Sequence, residues 1–176
     1  MEKWAESELR QLAPGARDDY IAALIDGWDD IIRSGIDTPL RLCEFLAQIA
    51  HETGGFEILI EDLHYSAARL CEVWPDRFKG ALDPRAIYCA GNPERLAEAV
   101  YGGRLGNTAK GDGYLYRGRG FLQDTGLDSY REYGPTVGIE QVTHPEILEN
   151  PTLSLRVALA RWHRRKLNRL ADRHYT

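Results

Sequence analysis

The stretch TPLRLCEFLAQIAHETGGFEILIEDL, residues 38–63, sets the frame for the rest of the chain. Thr38 suits a helix N-cap and Pro39 the first helical position, where a missing N–H is no loss. Leu40, Leu42, Cys43, Leu46, Ala47, Ile49 and Ala50 continue the pattern, nearly apolar all round, which predicts a central buried helix over 38–52. Gly54 and Gly55 supply the stop, because glycine readily takes the left-handed conformation of a C-cap. The helix therefore ends on His51 and Glu52, and a second acidic pair, Glu61 and Asp62, follows across an irregular segment. Two readings are open: two acids facing each other across a cleft, or a helix end with solvated charges after it.

Outward from this stretch, helical patterns recur on both sides. Ile21, Leu24, Ile25, Trp28, Ile31 and Ile32 lie at helical spacing within residues 17–34, and Gly35 ends them. Ser66 caps SAARLCEVWP, which stops before Pro75, and PERLAEAV (93–100) starts a helix at a proline. Residues 101–120, YGGRLGNTAKGDGYLYRGRG, are too rich in glycine for a helix or a regular strand. TGLDSYREYG and NPTLSLRVALARWHRRKLNRL return to helix. With no repeat, low-complexity run or linker, residues 1–176 read as one mostly helical domain with irregular segments near 53–65 and 101–125. Loops on a rigid scaffold are where binding and catalysis concentrate.

Composition narrows the function classes. Apolar residues make up 43% of the 176, enough for a real core, and a net charge of −5 argues against nucleic acid as the main partner. The basic stretch RWHRRKLNRLADRH (161–174) is the local exception, read as a solvated helix face or a contact for an anionic surface. The N-terminus shows no basic start with an apolar run, and no segment is apolar for long enough to span a membrane, so no stable membrane insertion is expected. Cys43, Cys71 and Cys89 lack CxxC spacing and a basic neighbour, which predicts three free, buried thiols.

Three chemistries compete for the polar residues. A helical zinc site on His51-Glu52 needs a second histidine one turn on, and that place is Gly55, so no metal is expected. A phosphate-binding loop in GRGFLQ lacks its lysine. Glycosidic hydrolysis needs two carboxyls, one delivering a proton and one ionised, and Glu52 with Glu61 fits that need. Glu57, Asp62 and Glu72 compete for the second role. The glycine-rich segment reads either as a groove wall, with Tyr101, Tyr114 and Tyr116 as flat faces for sugar rings, or as a structural loop pinned by its own tyrosines.

The segments FLAQIAHETGGF, EDLHYSAARL, VYGGRLGN, GDGYLYRGRGFLQDTG and NRLAD resemble, in order, those of the family 19 glycoside hydrolases, in the bacterial and phage branch of chitinases and endolysins. The resemblance spans roughly residues 43–172. It implies a mainly α, two-lobed, lysozyme-like fold with a substrate cleft and little or no β structure. It implies single-displacement hydrolysis, with inversion and no cofactor, of a β-1,4-linked N-acetylated amino-sugar polymer. Glu52 then matches the general acid, Glu61 the general base and Thr125 the hydroxyl that helps hold the attacking water. Gln123 matches a substrate-binding glutamine, and Tyr101, Tyr114, Tyr116, Asn107, Arg119 and Ser129 complete the candidate substrate contacts. Asp124 stands where the family is usually apolar, and Ser129 where it often has asparagine; these two departures are what a non-catalytic carbohydrate-binding protein on the same fold would rest on. The expected substrate is peptidoglycan, with chitin the alternative. The expected protein is a monomer, made in the cytoplasm without a signal peptide and acting on the cell wall after release.

Overall fold

Three short helices open the chain in the computed structural model, which describes residues 2–173: α1 (Glu6–Leu12), α2 (Asp18–Asp26) and α3 (Trp28–Arg33). The single helix expected over 17–34 is divided at Gly27. A β-carbon there would lie 2.4 Å from Leu155 Cδ2, so the glycine lets a later helix press against the chain at the break.

Helix α4 (Pro39–Glu52) starts and stops where the sequence indicates. Thr38 Oγ1 accepts the Arg41 N–H at 3.3 Å, and Pro39 occupies the first turn. Its burial departs from expectation. Leu42, Phe45, Leu46 and Ile49 are buried, whereas Cys43, Ala47 and Gln48 are exposed. The short side chains on the outer face do not attract a covering layer, and Arg41 and Gln48 keep that face wet. At its end, Gly54, Gly55 and Phe56 all have positive φ (61°, 84° and 62°), and the Gly55 N–H reaches back to Ala50 O at 2.7 Å. Phe56 is strained in this region, and the full burial of its ring, in edge contact with Phe121, offsets that strain.

Past this reversal the chain crosses to a second lobe. Leu59 to Glu61 run antiparallel to Gly118 to Gly120, with Gly120 N–H to Leu59 O at 2.7 Å and Glu61 N–H to Gly118 O at 2.9 Å. Arg119 pairs in turn with Asp124, and these two bridges are the isolated β pairing among the described residues. The small lobe holds α5 (Ala67–Val73), α6 (Pro84–Cys89), α7 (Pro93–Tyr101) and α8 (Asp112–Leu115). It has its own core, formed by Leu63, Leu70, Phe78, Ala86, Cys89, Leu96, Ala97 and Val100. Helix α8 falls inside the glycine-rich segment, where no helix was expected.

The chain then returns to the first lobe through α9 (Leu127–Tyr133), α10 (Pro151–Arg164) and α11 (Leu167–Ala171). Leu155, Leu159 and Trp162 of α10 pack with Ile21, Phe45 and Ile49, and the Trp162 and Phe45 rings meet edge-on at 5.2 Å. The fold is thus mainly α, two-lobed and nearly free of β structure, as the resemblance implies. The C-terminal basic stretch is not one solvated helix: Lys166 (φ 55°) breaks it, and Arg164 and Arg165 both pair with Glu132, at 2.8 and 3.3 Å. His174 lies outside the described residues. All three cysteines are free thiols; Cys89 is buried and Cys71 half-buried, but Cys43 is exposed, contrary to expectation, because it sits on the outer face of α4. No helix among the described residues is long and apolar enough to cross a membrane.

Candidate active site

Glu61 sits at the crossing between the lobes, and its carboxylate is held at both oxygens. Tyr101 Oη, from the last residue of α7, donates to Oε1 at 2.6 Å; the Gly118 N–H donates to Oε2 at 3.1 Å. Both contacts are donated to the carboxylate, which suits an ionised, acceptor-only group. Burial, and then the charge of Glu61, hold the Tyr101 phenol above its ordinary value, so it stays a neutral donor. Space at Gly118 is tight: a β-carbon there would lie 2.7 Å from Gln123 Oε1, 3.2 Å from Glu61 Cβ and 3.3 Å from Glu61 Oε2. The glutamine side chain and the carboxylate therefore crowd the same backbone atom.

Glu52 projects from the end of α4 into a groove of about 270 Å³ lined also by Glu44, Gln48, Leu122, Arg161 and Trp162. Gln48, one turn earlier on the helix, donates to Glu52 Oε1 at 2.9 Å. The turn at residues 120–123 links the two carboxylate settings, since Leu122 lines the Glu52 groove and Gln123 reaches Gly118 beside Glu61. That turn is pinned from below. Ser154 Oγ accepts the Phe121 N–H at 2.8 Å, and Arg161 Nη1 donates to Leu122 O at 2.8 Å. Gln123 takes φ 48°, and its amide donates to Gly120 O at 3.1 Å. Thr125, half-buried beside the bridge, donates its hydroxyl to Gln123 O at 3.0 Å.

The two departures from the family pattern are bonded to each other. Asp124, 3% exposed, accepts from Ser129 Oγ and from Arg161 Nη1, each at 2.8 Å. Burial pushes its carboxyl above the ordinary range, while Arg161 and Ser129 pull it down. Asp124 thus ties α9 and α10 to the turn, and Ser129 donates its hydroxyl proton to Asp124.

Several expected substrate contacts are structural in this fold. Asn107, 1% exposed, donates to Tyr101 O at 3.0 Å and accepts the Leu127 N–H at 2.9 Å. Arg119, 4% exposed, donates to Leu115 O at 2.7 Å, Tyr130 Oη at 3.1 Å and Glu149 at 3.1 Å. Tyr116 is buried with its hydroxyl on Val142 O at 3.1 Å. Each of these three side chains is buried and bonded within the protein, which gives it a structural role in the fold. Tyr114 lies under the Arg117 guanidinium, 4.1 Å from its ring centre, and faces a different cavity. Tyr101 and Gln123 remain beside Glu61.

The rival carboxylates are placed elsewhere. Asp62 is exposed and accepts from both His64 nitrogens, backbone and ring, at 2.9 Å. Glu72 pairs with Arg69 at 2.7 Å, and Glu57 lies against Gly15. His51 is exposed. Gly118, Gln48 and the Arg161–Asp124 pair were not singled out from the sequence. Only Gln48 had a readable signal, its position four residues before Glu52 on the same helix.

The sequence is 34% identical, over 134 residues, to a glycosyl hydrolase family 19 domain-containing protein of Haemophilus influenzae (strain ATCC 51907 / DSM 11121 / KW20 / Rd), a match covering 75% of this chain and 66% of that protein. The chain belongs to glycosyl hydrolase family 19. It spans just under two thirds of the relative's length. No family model matches the sequence. Among solved structures, chitinase C from Streptomyces griseus HUT6037 superposes with a TM-score of 0.52 at 18% identity, over 90% of this chain and 53% of that one. At that identity the likeness speaks to the family 19 fold alone.

Proposed function

We propose that this family 19 chain is an endo-acting, inverting glycoside hydrolase that cleaves β-1,4 bonds in the glycan strands of peptidoglycan. Glu52 acts as the general acid on the leaving oxygen. Glu61 acts as the general base on a water that Thr125 helps to hold, and Gln123 contacts the substrate. The observation that carries the reading is the Glu61 carboxylate, fixed at both oxygens by Tyr101 and Gly118 at the junction of two lobes. A surface glutamate at a helix end has no such cradle, and a base must be aimed before it can take a proton. The relative's name, a glycosyl hydrolase domain, supports the same reaction class. The two departures that would argue for a retired, merely sugar-binding protein, Asp124 and Ser129, are bonded to each other inside the fold.

The choice of peptidoglycan is supported by the motif resemblance to the bacterial and phage lysins. The likeness to chitinase C favours chitin as the second reading. Both polymers share the β-1,4 backbone, so the deciding test is direct. Purified murein and purified chitin are digested side by side, with reducing ends counted and the first product's anomer read by proton NMR. Release from murein with inverted configuration is expected. Release from chitin alone would replace the substrate, and a retained anomer would overturn the single-displacement mechanism.

A further inference from the structure

A cavity of about 810 Å³ contains neither Glu52 nor Glu61. It lies in the small lobe between α6, α7 and α8. The periodicity of α7 fixes its direction: Glu94, Arg95, Glu98 and Ala99 line the cavity, whereas Leu96, Ala97, Val100 and Tyr101 face the lobe's core and Glu61. At about 100° per residue these two sets occupy opposite sides of the helix, so the cavity lies across α7 from the candidate base.

Its chemistry is mixed in a particular way. Phe78, Tyr88, Tyr114 and Leu115 supply apolar surface, and Tyr88 is 61% exposed, with the Arg95 guanidinium stacked 4.3 Å from its ring centre. Arg77, Arg85 and Arg95 each donate to a backbone carbonyl. Arg77 donates to Ala99 O at 3.0 Å and Arg95 to Tyr88 O at 3.4 Å. Arg85 donates to Arg77 O and has only a 3.7 Å pairing with Asp83. Arg77, Arg95 and Lys110 form no ion pair among the described residues. Two of the three acids present are occupied by backbone donors: Asp112 by the Thr108 and Ala109 N–H groups at 2.9 and 2.8 Å, and Glu98 by Gly111 at 3.3 Å. Four cations thus face three carboxylates over an aromatic floor in one cavity of a chain whose net charge is −5.

We propose that this cavity is a second saccharide-binding site, distinct from the candidate active site, for a carboxylate-bearing amino-sugar glycan such as the peptide-substituted strand of murein. Aromatic faces take the apolar side of a sugar ring, and guanidinium and ammonium groups take carboxylates. A neutral chitin chain offers the cations hydroxyls and amide carbonyls but no carboxylate. The proposal rests on the peptidoglycan reading above for its ligand, and it would let the enzyme hold an insoluble strand while the cleft works on another part of it.

The test uses the full chain in a Glu52→Gln background, so that the probe is not consumed, with purified murein sacculi and chitin beads as the probes. Sedimentation should show binding to sacculi that weakens with salt, and weaker binding to chitin. Replacing Tyr88→Ala, Arg95→Gln and Lys110→Gln together should weaken sacculus binding by about tenfold or more. In the active background, the same triple variant should keep kcat at saturating murein and raise KM. Unchanged sacculus binding in a folded triple variant, checked by circular dichroism, would overturn the proposal while leaving hydrolysis intact. So would equal affinity for chitin, or loss in the same variant of an equally tight binding to phosphatidylglycerol vesicles or a DNA duplex. Intact groove binding with no reducing ends released by the active chain would instead overturn the hydrolase reading alone.

Discussion

Glu52 and Glu61 stand nine residues apart in the chain and are held in opposite ways. Glu52 rides the end of α4, and its hydrogen-bond partner, Gln48, comes from the same helix. Glu61 is gripped by Tyr101 and Gly118, which are 40 and 57 residues further along. The first carboxylate is positioned by local structure: an N-cap, a proline, a buried face and a left-handed stop. The second exists as a site only once the small lobe has folded and the chain has come back. A helix-borne group tolerates changes elsewhere in the molecule, and a group assembled from distant segments reports on all of them.

Substitutions should expose that asymmetry. The largest effect is expected from the carboxylates themselves. Glu52→Gln and Glu61→Gln preserve shape, and each should lower kcat by roughly a hundred- to ten-thousand-fold while leaving the melting transition unchanged. Residual activity should lose its alkaline limb in the first variant and its acidic limb in the second, because the acid must be protonated and the base ionised. Near-normal turnover by Glu61→Gln would remove it as the base.

Next comes Tyr101→Phe, which takes away one of the two donors on Glu61. A hydrogen bond to a charged group contributes about 1.5–3 kcal/mol, so steady-state assays should show kcat down by roughly ten- to a hundredfold. Thr125→Val should lower kcat less, by about fivefold, since it removes one hydrogen bond of about 1 kcal/mol and no proton transfer. The smallest change is expected from Gln48→Ala. Gln48 is exposed, so both kcat and chemical-denaturation stability should stay within about 0.5 kcal/mol of the parent. If Gln48→Ala were as damaging as Tyr101→Phe, the contrast between the two settings would be wrong.

The same contrast explains what could be read from the sequence. The helices that begin at Thr38 and Ser66 announce themselves by their caps, both bonded as expected, and the helix at Pro93 announces itself by its proline. The break at Gly27 was hidden, because its reason is Leu155, more than a hundred residues away. The exposure of Cys43 was hidden too, since periodicity shows a stripe but not which neighbours arrive to cover it. In the glycine-rich segment, residue type was a poor guide. Tyr116 and Arg119 look like ligand-facing side chains, yet the fold uses both as internal ties, while the plain Gly118 supplies an N–H to Glu61. Backbone donors carry no signature in the alphabet of side chains.

The crossing between the lobes has a mechanical side. The small lobe is entered after Glu61 and left before Gly118, and these two residues are bonded to each other. Any rocking of that lobe therefore has its fulcrum at Glu61, where the lever arm is shortest. The parts of the lobe farthest from that tie would swing most, while the carboxylate scarcely moved. Aperture and alignment are decoupled by where the chain happens to be tied.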